Sequence, residues 1–285
     1  MRLRRQRREP NPEGRMPLMD HLRELRNRVV KALLFLAGGV VIGFWQFDLV
    51  WDFLQRPYCE LPQSSQLDSD GCNLIYTGIF DAFFLQFKVA IIIGIVVSCP
   101  FWLYQLWAFV APALRGKEKT YTYVFVGAAV PLFLSGAALA YFITEKGMQI
   151  MFSFGPDGSV PLITMDNYLS YIIMMLLVFG AAFILPLIVV LLNFLGVLPH
   201  AAITKWRRMI IFAAFVFAAI ATPGGDPFTM MALGVPVVIL FEIAELICFL
   251  HDRRLPRNDP YAELGDDEIS SIDDVEDETP IAPNR

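Results

Sequence analysis

Nearly all the positive charge along this chain falls in alternate gaps between apolar runs, and that rhythm restricts it to helices threaded through a bilayer. Ten of the 23 Lys and Arg residues precede Ala32. Later clusters are Arg115, Lys117 and Lys119, then Lys205, Arg207 and Arg208, then Arg253, Arg254 and Arg257. The gaps between them hold only Arg56 and Lys146, with Lys88 at a helix edge. Short loops rich in Lys and Arg stay on the cytoplasmic side, so both ends of the chain are expected there. At 56% hydrophobic and 18% charged, the chain leaves no material for a large soluble domain. The net charge of −5 comes from a late acidic run, Glu263 to Glu278, and does not bear on orientation.

A helix rises about 1.5 Å per residue and needs about 20 residues to cross roughly 30 Å of hydrocarbon. Six spans are expected, at 32–50, 89–110, 124–142, 172–195, 209–221 and 228–250. The fifth has 13 residues and reaches only about 20 Å before Thr222-Pro223-Gly224-Gly225-Asp226-Pro227 stops it. Either the membrane thins there, or spans five and six form a hairpin that crosses incompletely. The expected organisation is a basic, disordered arm over 1–15, an all-α polytopic transmembrane domain over 16–250, and a cytoplasmic, acidic, disordered tail over 251–285. Leu18, Leu22, Leu25 and Val29 repeat at helical spacing, which predicts an amphipathic interfacial helix over 16–31. Arg4-Arg5 and Arg7-Arg8 look like the start of an exported signal, but the apolar run begins only near Val29 and lacks a small-residue cleavage site, so it reads as a retained helix. Pro100, Pro131, Pro186 and Pro236 fit either ordinary transmembrane packing or a wall kinked around a concave face.

Catalytic machinery is hard to find. His21, His200 and His251 fall at or beyond cytoplasmic span ends. There is no phosphate-cradling loop, nucleophile elbow or metal-ligand cluster. The chain therefore reads as neither an enzyme nor a cofactor carrier, and its work must draw on a partner or an ion gradient. Cys59 and Cys72 stand 13 residues apart in a loop expected to face an oxidising compartment. A disulfide there would contribute about 3 kcal/mol in the chain-entropy model; two free thiols are the alternative. Cys99 and Cys248 read as small packing residues. A charge within a span costs about 2.5–3.5 kcal/mol on insertion scales, which singles out Glu242 and Glu245. Glu245 reads as interfacial, whereas the deeper Glu242 could bind a partner's polar group or relay protons. Taken alone, Glu24 and Glu118 are surface charges, Glu24 pairing with Arg28 one turn on.

Longer motifs change that reading. His21-Leu22-Arg23-Glu24-Leu25-Arg26-Asn27-Arg28, Ser98-Cys99-Pro100, the run Leu103-Tyr104-Gln105-Leu106-Trp107-Ala108-Phe109-Val110-Ala111-Pro112-Ala113-Leu114 with Glu118, Ala221-Thr222-Pro223, Asp226-Pro227-Phe228 and Leu240-Phe241-Glu242-Ile243 resemble the TatC family. This family comprises the multispanning receptor subunits of the twin-arginine protein translocase. The resemblance spans roughly residues 18–250. It implies a curved or cup-like bundle in the bacterial cytoplasmic membrane that binds twin-arginine signal peptides and nucleates export of folded proteins, driven by the proton-motive force. It places signal binding on Glu24 and Glu118, with Arg26 and Phe109 nearby. It implies homo-oligomers within a complex containing TatA-like and TatB-like single-span partners, docked around Thr222, Phe228, Met230 and Glu242. Asp226 is a motif residue without a derived role. Ile184 and Met230 stand where some relatives carry polar residues, and Gly224-Gly225 adds a glycine to the turn. The rival readings are a proton-coupled small-solute transporter using Glu242, an intramembrane enzyme, and a scaffold indifferent to Arg against Lys.

Overall fold

The computed structural model describes residues 18–61, 72, 74–110, 118–156 and 161–254, with backbone only at Leu18, Asp20, His21, Val110 and 118–122. The expected basic arm and the acidic tail beyond Arg254 lie outside the described residues. The remainder is mostly helical: α1 Leu18–Trp45, α2 Phe47–Cys59, α3 Asp81–Val97, α4 Cys99–Val110, α5 Glu118–Phe152, α6 Met165–Phe194, α7 His200–Ala221 and α8 Pro227–Arg254. Two short strands, β1 Leu74–Ile75 and β2 Ile163–Thr164, pair in parallel. The all-α expectation did not include this pair, because two-residue strands carry no periodicity.

Among the described residues, four helices are long and apolar enough to cross a bilayer, and up to five spans result if the bent pair α3–α4 counts as one. α3 and α4 meet at 61°. The bend sits at Ser98, whose hydroxyl donates to the Gly94 carbonyl. Pro100 lies in the first turn of α4, where a missing N–H is tolerated. The Trp102 indole N–H caps the freed Ile95 carbonyl at 3.0 Å. α1 runs unbroken through the stretch expected to be interfacial and stops at Trp45, short of residue 50. The chain then turns into the separate amphipathic helix α2. α7 starts at His200, well before the apolar run at Met209, since Lys205, Arg207 and Arg208 are good helix formers.

Packing follows the glycines. α1 lies against α3 so closely that a Cβ on Gly43 would stand 2.6 Å from the Ala90 carbonyl oxygen. α6 is the central helix, packed on α3, α5 and α8; Ile172, Met175 and Phe179 are fully buried along it. At one end, hereafter the cap end, Leu54 and Tyr58 of α2 close over Leu85, Val89 and Leu169. The Tyr168 hydroxyl donates to the Leu54 carbonyl at 2.5 Å. A disulfide joins Cys59 to Cys72, with Cα atoms 5.2 Å apart, and so ties α2 to β1. A groove of about 640 Å³ opens beneath this cap between α2, α3, α5 and α6. Its walls are Leu54, Ile92, Val96, Ala138 and Phe142, with Arg56, Glu60 and Glu145 at its rim.

Candidate functional site

Glu24 lies on the first turns of α1 with Arg28 one turn later, a spacing that puts both on one face. Arg28 donates to Glu24 Oε1 from Nε at 3.0 Å and from Nη2 at 2.5 Å. The two side chains are 23% and 24% exposed, so the carboxylate is held in a partly desolvated setting. Both bonds converge on Oε1, leaving Oε2 unused by Arg28. The exposed Leu22, Leu25 and Val29 line neighbouring stripes, and Arg26 is exposed.

The neighbours of Glu24 follow from helix register. α1 and α3 run antiparallel, with Gly43 against Ala90 and Gly39 against Gly94. Phe35 then stacks on Phe101 of α4 at 4.6 Å. Continuing this register carries the first half of α1 toward the end of α4, where Phe109 is half-buried. α5 returns along α4, with Tyr104 stacked on Tyr123 and Trp107 on Phe125 at 4.7 Å. Its first residue, Glu118, therefore opens at the same end of the bundle; its side chain lies outside the described residues.

A second polar cluster joins α6, α7 and α8 at that end. Arg207 grips Glu242 with both Nε, at 3.0 Å, and Nη2, and its Nε lies 3.5 Å from Glu245 Oε2. Thr204 donates to Glu245 at 3.2 Å. Asp252 accepts from the Asn193 amide at 2.9 Å and from the His200 backbone N–H at 2.8 Å. Glu242, expected to meet a partner's polar group, is thus engaged within the chain. The sequence reading missed Arg207, although it and Glu242 lie almost equally far from the α7–α8 turn, which was the available signal.

The turn itself explains Asp226. Gly224 and Gly225 have φ of 89° and 60°, in the left-handed region that favours glycine. The chain then enters α8 with Asp226 as its cap: Oδ1 accepts from the Thr229 N–H at 2.8 Å and Oδ2 from the Thr229 hydroxyl. Pro227 follows at the first helical position, where it fits best. Thr222 is buried and turns its hydroxyl back to the Ala218 carbonyl. Met230 is partly buried against Leu233 and Val237, and Phe228 is exposed. Among the described residues, no three His, Cys, Asp or Glu side chains converge to hold a metal.

Residues 20–236 match the family model described as Sec-independent protein translocase protein (TatC). The chain is 46% identical over 269 residues to the Sec-independent protein translocase protein TatC of Frankia casuarinae, covering 92% of this chain and 74% of that one. The protein of the same description from Xylanimonas cellulosilytica is 38% identical over 248 residues, covering 87% and 89%. The crystal structure of the twin arginine translocase receptor TatC in DDM superposes with a TM-score of 0.67 at 28% identity, covering 80% of this chain and 98% of that one.

Proposed function

The chain belongs to the TatC family, a membrane component of the Sec-independent protein translocase and a transport protein rather than a catalytic enzyme, and we propose that it is the subunit that recognises twin-arginine signal peptides. Glu24 is the observation that carries this reading. A carboxylate already gripped by a guanidinium fork in a partly desolvated setting has the chemistry that an incoming arginine needs. Arginine matches a carboxylate bidentately, whereas lysine offers a point charge. A signal arginine would take Glu24 Oε2 or displace Arg28, and Glu118 at the head of α5 would take the second. Charged hydrogen bonds contribute about 1.5–3 kcal/mol each, so two such contacts suffice to separate Arg-Arg from Lys-Lys. Arg26 and Phe109 border the same site.

The rest of the assignment follows the charge pattern. The end bearing Glu24, Arg207 and Arg254 is cytoplasmic and the cap end faces outward, in the bacterial cytoplasmic membrane. α7 is the fifth span, made short by its early arginines, and α8 is the sixth. The signal's apolar segment lies along the groove beneath the cap, gaining about 25 cal/mol for each Å² it buries. TatA-like and TatB-like spans dock on the α7–α8 hairpin, where Phe228 is exposed, and the proton-motive force drives the assembled complex. With Glu242 held by Arg207, the solute-transporter alternative loses its carboxylate.

A complementation experiment tests the proposal. In cells deprived of their own subunit but supplied with both partners, the chain should restore export of a folded fluorescent reporter carrying an Arg-Arg signal. Glu24→Ala and Glu118→Ala should abolish export while remaining in the membrane. Undiminished export by both variants refutes the site.

A further inference from the structure

Lys88 and Asp166 are charges that the proposed receptor site does not use. Lys88 Nζ, on α3, donates to Asp166 Oδ1 at 2.5 Å and to Ser170 Oγ at 2.9 Å, both on the first turns of α6. The lysine and aspartate side chains are 36% and 42% exposed, so the pair lies open at the surface. An ammonium has three N–H donors and a serine one O–H. With two of its donors committed, Lys88 retains a third, and Ser170 accepts from Lys88 while keeping its own donor. Asp166 meets Lys88 through one oxygen only, so its carboxylate retains acceptor capacity.

An apolar groove of about 460 Å³ runs from Lys88 and Ser170 between α3 and α6, walled by Ile91, Ile173, Met174 and Leu177, with Asp166 beside it through its bond to Lys88. From Ser170 to Val178, α6 advances about 12 Å. That is close to one leaflet, roughly 15 Å or half the hydrocarbon core, and well short of the ~30 Å that a partner span needs. The length therefore suits an acyl chain rather than a helix. The mouth presents a cation and an anion side by side. A singly anionic headgroup meets Asp166 as well as Lys88, whereas a zwitterion satisfies both. A primary ammonium can donate hydrogen bonds to Asp166; a quaternary one has no N–H to give.

We infer that this groove is a binding site for a phospholipid with a primary-amine, ethanolamine-type headgroup. Its phosphate sits on Lys88 and Ser170, its ammonium on Asp166, and one acyl chain lies between α3 and α6. The outward-facing leaflet supplies it if the orientation proposed above holds; the binding itself does not depend on that orientation.

Native mass spectrometry of the purified full chain, released from detergent with equimolar phosphatidylethanolamine, phosphatidylcholine and phosphatidylglycerol, tests the inference. Phosphatidylethanolamine should be retained about tenfold over the others, the effect of one charge-assisted hydrogen bond. Lys88→Met should lose that retention. Asp166→Asn should still bind phospholipid but lose the preference for phosphatidylethanolamine. Leu177→Trp fills the groove while leaving the polar mouth intact, and should lower retention of all three; it decides the matter should Lys88→Met fail to fold. Equal retention of the three lipids by wild type, a preference for phosphatidylglycerol, or unchanged retention in Leu177→Trp overturns the inference.

Discussion

Gly38 and Gly39 are neighbours on α1 with opposite surroundings, and replacing each by alanine should give opposite results. A Cβ on Gly38 meets nothing within 4 Å, whereas one on Gly39 stands 2.8 Å from the Gly94 carbonyl oxygen and 2.9 Å from the Gly94 Cα. Gly94 is backbone on α3 and cannot swing aside as a side chain can. Relieving the contact moves α1 off α3 by roughly 0.5–1 Å, a gap that forfeits about a quarter to a half of the dispersion energy of each atom pair it opens. Overpacking of this kind costs about 1–3 kcal/mol. Both substitutions gain the same helix propensity, about 0.5–1 kcal/mol, so the difference between them isolates the packing effect. Thermal unfolding of the purified protein in lipid is the assay, with about 2–4 °C for each kcal/mol in a domain of this size. Gly38→Ala should melt at or slightly above wild type, and Gly39→Ala several degrees below it. Because α1 also carries Glu24, Gly39→Ala should weaken signal binding while Gly38→Ala does not. Coincident melting of the two variants refutes the close α1–α3 packing and the register that carries Glu24 toward α4.

Two further outcomes follow from the turn and the polar cluster. Asp226→Ala removes the cap of α8 and should cost about 1–2 kcal/mol in the same unfolding assay, with Asp226→Asn recovering most of it because an amide oxygen also caps. Arg207→Met strips Glu242 and Glu245 of their cation; its cost should fall between the ~1 kcal/mol of a surface pair and the ~3 kcal/mol of a buried one. Arg207→Met/Glu242→Leu should be more stable than Arg207→Met alone, as no unpaired carboxylate then remains at position 242.

The spacing of charge and oil was enough to read a helical membrane protein, because the bilayer's thickness imposes a length on every span. Helix ends were less legible. An apolar run marks where lipid begins, not where the backbone stops hydrogen-bonding, so α7 starts at His200 and α5 continues to Phe152 through polar residues. Ser98-Cys99-Pro100 was visible as a motif, but the 61° bend depends on how Trp102 and Ser98 satisfy the carbonyls around it. The long-range pairs, Arg207 with Glu242 and Lys88 with Asp166, are hidden in the sequence because their partners lie 35 and 78 residues apart on different helices. Asp226 was marked only by resemblance, although an Asp before Pro at a helix start is a cap signal in its own right. Glu24 and Glu118 were found the same way; composition alone made them surface charges, and only the resemblance singled them out.

The central claim is that Glu24 distinguishes arginine from lysine in a signal. Titration calorimetry of the purified protein in lipid, with Arg-Arg and Lys-Lys signal peptides against wild type, Glu24→Ala and Glu118→Ala, measures this directly. The account predicts tighter binding of Arg-Arg to wild type, by at least about tenfold for one charged hydrogen bond, and loss of that preference in either variant. Equal affinity of wild type for both peptides, or a preference that survives both substitutions, contradicts it.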